Sequence, residues 1–176
     1  MRQVNNFGDY RLYPLTEALA RRYAEDICAS QDQIPLVEKH TLDQLLAVSN
    51  DKRVFHKKWD HSLIALTTTG AYAGIIIGYE REKENNERYP YNSIYVGSFA
   101  VAQKHQKKGL GKALLQAWLG YNKQKGFLAL DGKLRFSLQT NSAAWNKHIQ
   151  ALYESFGFKK IATKTYDNRV DNVYFL

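Results

Sequence analysis

The chain is poor in the residues that build crosslinked, collagenous or membrane-spanning proteins. Its one cysteine, Cys28, cannot form an intramolecular disulfide and excludes a Cys-rich zinc module. Three prolines and 11 glycines in 176 residues exclude a collagen-like or low-complexity chain, and 44% hydrophobic residues exclude a disordered one. The longest apolar run, Ala71 to Tyr79 with two glycines inside it, falls far short of the ~20 residues that span a bilayer. Arg2, Asp9, Arg11 and Glu17 interrupt the N-terminal region where a secretory signal would need an apolar core. These absences predict a cytoplasmic protein with no metal site and no membrane partner, built as one domain over residues 1–176.

Acidic residues are scarce in one half only. Residues 1–88 carry 12 Lys and Arg against 13 Asp and Glu, whereas residues 89–176 carry 13 against 4. The whole excess of the +8 net charge is therefore C-terminal. Such a field draws in anions, whether nucleic acid, a membrane surface or a phosphate-bearing small molecule.

Periodicity supplies the element order. Asp9 to Leu15 reads as a short strand that Pro14 would make either an edge strand or the lead into a helix. Thr16 then caps one helix carrying Leu19, Tyr23 and Ile27, and Thr41 with Gln44 opens a second around Leu42, Leu45, Leu46 and Val48. Three strands follow, at His61 to Thr67, Ala71 to Arg81 and Ser93 to Val101, with a turn at Thr69-Gly70. The charged stretch Glu82 to Asn92 reads as an exposed loop. Beyond Gly109 a helix is expected with Leu110, Ala113, Leu114, Ala117, Trp118 and Tyr121 inward and Lys112, Gln116, Asn122 and Lys123 outward, stopped by Gly126. A strand from Leu134 to Gln139, a helix through Ile149, Leu152, Tyr153 and Phe156, and a hairpin turning at Asp167-Asn168 complete the chain. The fold class is α/β in the mixed α+β sense: a single domain with a central, mostly antiparallel twisted sheet and helices on both faces.

The segment richest in chemistry is Gln106-Lys107-Lys108-Gly109-Leu110-Gly111-Lys112, placed between a strand and an amphipathic helix. A helix start leaves N–H groups unsatisfied and carries roughly half a positive charge, so it holds anions. Gly109 and Gly111 let a phosphate approach the backbone, and Lys107, Lys108 and Lys112 add charge. The same residues would also serve as a plain helix start on a basic surface. A P-loop is excluded because no Gly-Lys-Ser/Thr follows Gly109 at the required spacing, and a dinucleotide fingerprint because Leu114 stands where Gly is needed.

Gln106-x-x-Gly109-x-Gly111 resembles the Arg/Gln-x-x-Gly-x-Gly/Ala turn of the GCN5-related N-acetyltransferase (GNAT) family, preceded by Phe99-Ala100-Val101 where that family has Leu-Ala-Val. Downstream, Asn146 to Phe158 is similar to the family's Asn-x-x-Ala-x-x-Leu-Tyr-x-x-x-Gly-Phe helix, with Ile149 replacing Ala. The resemblance implies an acyltransferase: acetyl-CoA as co-substrate, an acetyl group moved to a primary amine by direct attack, and no metal. It implies Phe99, Val101, Gln106, Lys107, Lys108, Gly109, Gly111, Lys112 and Asn146 as CoA-binding residues and Tyr153 as the acid that protonates the leaving thiolate. Tyr153 also lies on an apolar stripe that would make it a core residue, and Asn146 could simply cap a helix.

One departure leaves the base open: Gly97 stands where many members carry a carboxylate. Glu80, Glu82 and Glu84 are candidates, although a charge run at a hairpin tip is more commonly solvated, and His105 and His148 read as surface histidines. Trp118, Trp145 and Phe127 are assigned to packing. The acceptor is a small-molecule or peptide amine, the small molecule being favoured because Glu80, Glu82, Glu84 and Glu87 would welcome a cation. A homodimer is left open. The alternatives are a nucleic-acid-binding protein, for which no motif stands, and a non-catalytic acyl-CoA-binding regulatory protein, against which Tyr153 argues.

Overall fold

The computed structural model describes residues 3–34, 60–84, 88–125 and 132–176. Among the described residues, eight strands form one sheet, in chain order β1 (Asn5–Phe7), β2 (Tyr10–Pro14), β3 (Leu63–Thr67), β4 (Tyr72–Arg81), β5 (Ser93–Val101), β6 (Phe136–Asn141), β7 (Lys159–Tyr166) and β8 (Arg169–Phe175). Their spatial order is β1-β2-β3-β4-β5-β6-β8-β7, and every pairing is antiparallel except β5 with β6. The helices among the described residues are α1 (Glu17–Arg22), α2 (Ala24–Asp32), α3 (Leu110–Gln124) and α4 (Lys147–Ser155).

Two apolar clusters sandwich the sheet, as a mixed α+β fold requires. Leu110, Leu114 and Trp118 of α3 and Tyr153 of α4 pack on Leu12, Leu63, Ile76, Val96, Phe136 and Leu138. On the opposite face, Leu19, Ala20 and Ile27 of α1 and α2 cover Ile64, Leu66, Ile75, Ile77 and Ala100. Trp118 is fully buried, and Gly78 lies beneath it, where an added Cβ would sit 2.8 Å from the indole and 2.7 Å from the His61 carbonyl. Truncating such a Trp costs about 3 to 5 kcal/mol.

The sequence reading needs four corrections here. The Thr16 cap is present, its Oγ1 accepting from Leu19 N–H at 3.2 Å, but the one helix expected after it is two, because Tyr23 leaves helical geometry at φ −111°, ψ 21°. The Tyr23 hydroxyl donates to the Gly70 carbonyl at 2.6 Å, a tertiary bond no local pattern announces. The strand ending at Pro14 is not an edge, since β1 pairs outside it; Pro14 stands at its last position and leads into α1, the other alternative. Asn122 is buried, not outward: its amide donates to the Trp118 carbonyl and its Oδ1 meets His61 Nδ1 at 2.9 Å. In the loop expected to be exposed, Tyr89 is 1% exposed. The expected helix at Thr41 to Val48, with Gly126, Phe127 and Glu87, lies outside the described residues.

Candidate active site

β5 and β6 run parallel and stay paired only from Ile94/Phe136 to Val96/Leu138; beyond that point each keeps its outer neighbour and the two part. A β-bulge at Gly97, where the register jumps from Gly78↔Val96 to Ile77↔Ser98, alters the face each residue presents. Before it Ile94 and Val96 face α3; after it Phe99 and Val101 do, while Ala100 faces α2. The backbone turns with the side chains. Ala102 N–H donates to the Ala73 carbonyl at 3.0 Å, so by alternation the amide and carbonyl groups of Phe99 and Val101 point away from β4, into the wedge. Gly97, read from sequence as a missing carboxylate, is thus the residue that opens the sheet.

At the end of β5 the chain makes a 3₁₀ turn, Gln103–His105, then the glycine turn into α3. Lys107 has φ +59° and Gly109 φ +79°, an alternation that aims successive amides the same way. Six consecutive N–H groups, Lys107 to Lys112, have no acceptor among the described residues. The Gln106 side chain ties the turn to the strand by donating to the Val101 carbonyl at 3.0 Å. Lys104, Lys107, Lys108 and Lys112 are all exposed around it. Gly109 is demanded twice over, by its left-handed backbone and by Phe7, whose ring would lie 3.2 Å from an added Cβ. Gly111 is not: a methyl there would make ordinary contacts with Phe99 and Val101 at 3.6 and 3.8 Å. The turn is braced from β1 and β2, where Tyr10 meets His105 Nδ1 at 3.2 Å and stacks edge-on against its ring. His105 is therefore not the surface histidine expected; burial, then Lys104 and Lys108, hold its pKa below the usual value.

Tyr153 reaches the same wedge from α4. It is 5% exposed, with its ring against Phe99, Phe158 and Tyr174 at centroid distances of 6.4, 5.9 and 6.4 Å. Its hydroxyl has no hydrogen-bond partner among the described residues, and burial pushes the phenol well above its ordinary pKa. Asn146 precedes α4 but does not cap it with its side chain. Its amide donates to Thr140 Oγ1 and to the Asn141 carbonyl, both at 2.7 Å, fixing the β6-to-α4 turn. Gln150 adds a second donor to Asn141 at 3.0 Å. Trp145, expected in the core, is 47% exposed beside this turn, while His148 is exposed as expected.

Two of the three carboxylates considered as bases are already engaged. Glu80 lies 3.3 Å from His61 Nε2, and Glu84 pairs with Arg81. Sequence reasoning missed a polar network across the wedge mouth, on the face away from α3. Gln139, one residue past the last β5–β6 pair, accepts from the Tyr89 hydroxyl at 2.7 Å and donates to Tyr166 at 2.7 Å and Asp171 at 2.6 Å. Only Asp167-Asn168, which marks the hairpin turn beside Tyr166, hinted at its position. A separate cleft of about 270 Å³ lies between α2 and residues 102–104, lined by Asp26, Ser30, Gln33, Tyr72 and Lys104 among others.

A sheet parted between two parallel strands, with a helix start of unpartnered N–H groups on one wall and a buried phenol on that same side, is the arrangement to compare with known proteins. The profile of the acetyltransferase (GNAT) domain matches residues 59–160; the chain belongs to the GNAT family, whose members use acetyl-CoA as acetyl donor. No curated relative matches the sequence. Among solved structures the chain is similar to the NatC complex bound to Gag peptide and CoA, with TM-score 0.71 and 16% identity, covering 96% of this chain and 98% of that one. It is also similar to the ribosomal-protein-S18-alanine N-acetyltransferase from Escherichia coli (TM-score 0.63, 18% identity, 95% and 92% covered). The spermidine/spermine N-acetyltransferase SpeG from Vibrio cholerae matches with TM-score 0.61 and 15% identity, over 97% of this chain and 94% of that one. No helix among the described residues is long and apolar enough to cross a membrane.

Proposed function

We propose that the protein transfers the acetyl group of acetyl-CoA to a primary amine, with Tyr153 as general acid. The observation that carries this reading is the run of six N–H groups from Lys107 to Lys112 without acceptors, ringed by lysines, at the end of a strand that parts from its neighbour. Acetyl-CoA supplies an acetyl thioester and an anionic pyrophosphate. The turn is suited to the pyrophosphate through backbone amides and the positive end of α3. The Phe99 and Val101 backbone groups turned into the wedge offer donors to the pantetheine arm and to the developing oxyanion. Tyr153, kept protonated by burial, can give its proton to sulfur as the C–S bond breaks. Asn146, with both amide hydrogens used, acts through the shape of the turn and can offer only its Oδ1.

The similar folds act on protein, peptide and polyamine amines, so the acceptor here is proposed as a primary amine of either class. The acidic stretch once favouring a small cation weakens as an argument, because Glu80 and Glu84 are paired. Thiol release from acetyl-CoA, followed across a panel of polyamines and peptides with free N-termini, tests the function. Acceptor-dependent release is expected; CoA binding with no release for any amine would mark a non-catalytic CoA-binding protein instead.

A further inference from the structure

With Gly97 unable to serve, Glu80 and Glu84 committed elsewhere, and Glu82 standing past the last β4–β5 pair, Arg81↔Ser93, at the end of β5 away from Val101, the proton of the incoming amine needs another acceptor. Tyr153 and the glycine turn lie on the α3 and α4 side of the sheet. If sulfur departs on that side, the amine reaches the carbonyl from the other. On that other side stand Tyr89, Gln139, Tyr166 and Asp171.

The hydrogen bonds there can be oriented without ambiguity. Asp171 carries a carboxylate, which accepts only, so the Gln139 NH₂ must face it, at 2.6 Å from Oδ2. The second Gln139 N–H then points at the Tyr166 oxygen at 2.7 Å, and the Gln139 carbonyl oxygen is left to accept from Tyr89. The Tyr166 oxygen is thereby made an acceptor. Two cations lie against its ring, Lys164 with Nζ at 4.6 Å from the centroid and Arg169 with Cζ at 4.3 Å. Arg169 also anchors Asp171, with Nε at 3.1 Å from Oδ2. Asp171 is 5% exposed, and its second oxygen, Oδ1, is buried with no partner.

We propose that Tyr166 is the catalytic base of this acetyl transfer, its phenolate oxygen taking a proton from the acceptor ammonium, and that Gln139 and Asp171 are positioning residues that hold that oxygen as an acceptor. The proposal rests on the acetyl-transfer reading above. The ammonium gives one proton to the Tyr166 oxygen; the freed nitrogen lone pair forms the C–N bond; the C–S bond breaks and sulfur takes a proton from Tyr153. The nitrogen's second proton restores Tyr153, and Tyr166 returns its proton to solvent, which gives amide, thiol and one released proton. The direction of the phenol's shift agrees. Partial burial alone would raise the Tyr166 pKa, but hydrogen bonds from Lys164, Gln139 and Arg169 and the charge of Lys164 outweigh it, and it falls below the ordinary tyrosine value. The groups facing the phenol are Lys164 on β7, Arg169 and Asp171 on β8, Gln139 on β6 and Tyr89 ahead of β5. Of the titratable ones, only Asp171 opposes ionisation.

Two readouts on the full chain saturated with CoA or acetyl-CoA decide it. Ultraviolet difference titration of tyrosinate should show one phenol ionising below the ordinary range in wild type, lost in Tyr166→Phe and moved upward in Gln139→Leu. Gln139→Ala takes its place if Gln139→Leu fails to fold. Thiol release above the enzyme-free rate is then compared for ethylamine, protonated at neutral pH, and hydroxylamine, which is not. Tyr166→Phe should lose ~10²-fold with ethylamine, at the lower end of general acid–base contributions, and little with hydroxylamine. Equal losses with both amines would reveal a structural role and overturn the proposal, as would a Tyr166 phenol titrating at or above the ordinary range. No release by wild type with these two amines or with any polyamine or peptide of the panel would overturn the acetyl-transfer reading instead, and the proposal with it.

Discussion

The two sides of the parted strands were encoded in different ways. The wall formed by the end of β5, the glycine turn and α3 is continuous in sequence from Phe99 to Lys112, and its chemistry is carried by backbone amides that glycine geometry aims. The opposite face joins Tyr89, Gln139, Tyr166 and Asp171, with hydrogen bonds spanning 50, 27 and 32 residues. A local backbone site can be broken by one misplaced Cβ and barely notices its side chains. A side-chain network tolerates backbone-neutral changes poorly, because each partner orients the next.

The largest effect should therefore come from the backbone. Gly109→Val places a β-branched residue at φ +79° and drives a methyl toward Phe7; CoA affinity by calorimetry should fall at least ~10²-fold, roughly the effect of the 1 to 3 kcal/mol of strain together with lost amide alignment. Next in size, Tyr153→Phe keeps the ring packing against Phe99, Phe158 and Tyr174 and removes only the hydroxyl. Single-turnover acetyl transfer should slow by ~10² or more while CoA affinity holds. An unchanged rate would return Tyr153 to the core. Lys108→Glu should weaken CoA binding only several-fold, because the side chain is exposed, and the deficit should shrink as salt rises. Smallest of all, Gly111→Ala should change CoA affinity by less than about twofold, since its methyl meets neighbours at ordinary contact distance. A large loss there would mean that ligand, and not protein, fills the space beside Gly111.

The contrast also explains what could be read in advance. Strands β3, β4 and β5, helix α3 and the last hairpin follow from periodicity and turn residues, because neighbours in sequence decide them. The glycine turn and the Tyr153 helix were legible for the same reason, each lying within a short motif. Tyr89 was misread because its burial comes from Gln139 and Phe175, both distant in sequence, and from Arg81 on the other side of the loop. Asn122 looked outward by helical phase, yet its amide satisfies His61 and the Trp118 carbonyl inside the core. Trp145 looked like core by residue type alone, and the Asn146 amide that shapes its turn left it outside. Gly97 was read for the carboxylate it lacks, while its role as the bulge that parts β5 from β6 depends on strand partners in β4.

Whether CoA is held by the backbone from Phe99 to Lys112 can be read by titrating CoA into the ¹⁵N-labelled protein and following its amide resonances. The amides of Lys107 to Lys112, with those of Phe99 and Val101, should move furthest, and those of Ser30 and Tyr72 beside the separate cleft should hold still. Largest movements at Ser30, Gln33 and Tyr72, with the glycine turn unmoved, would contradict it.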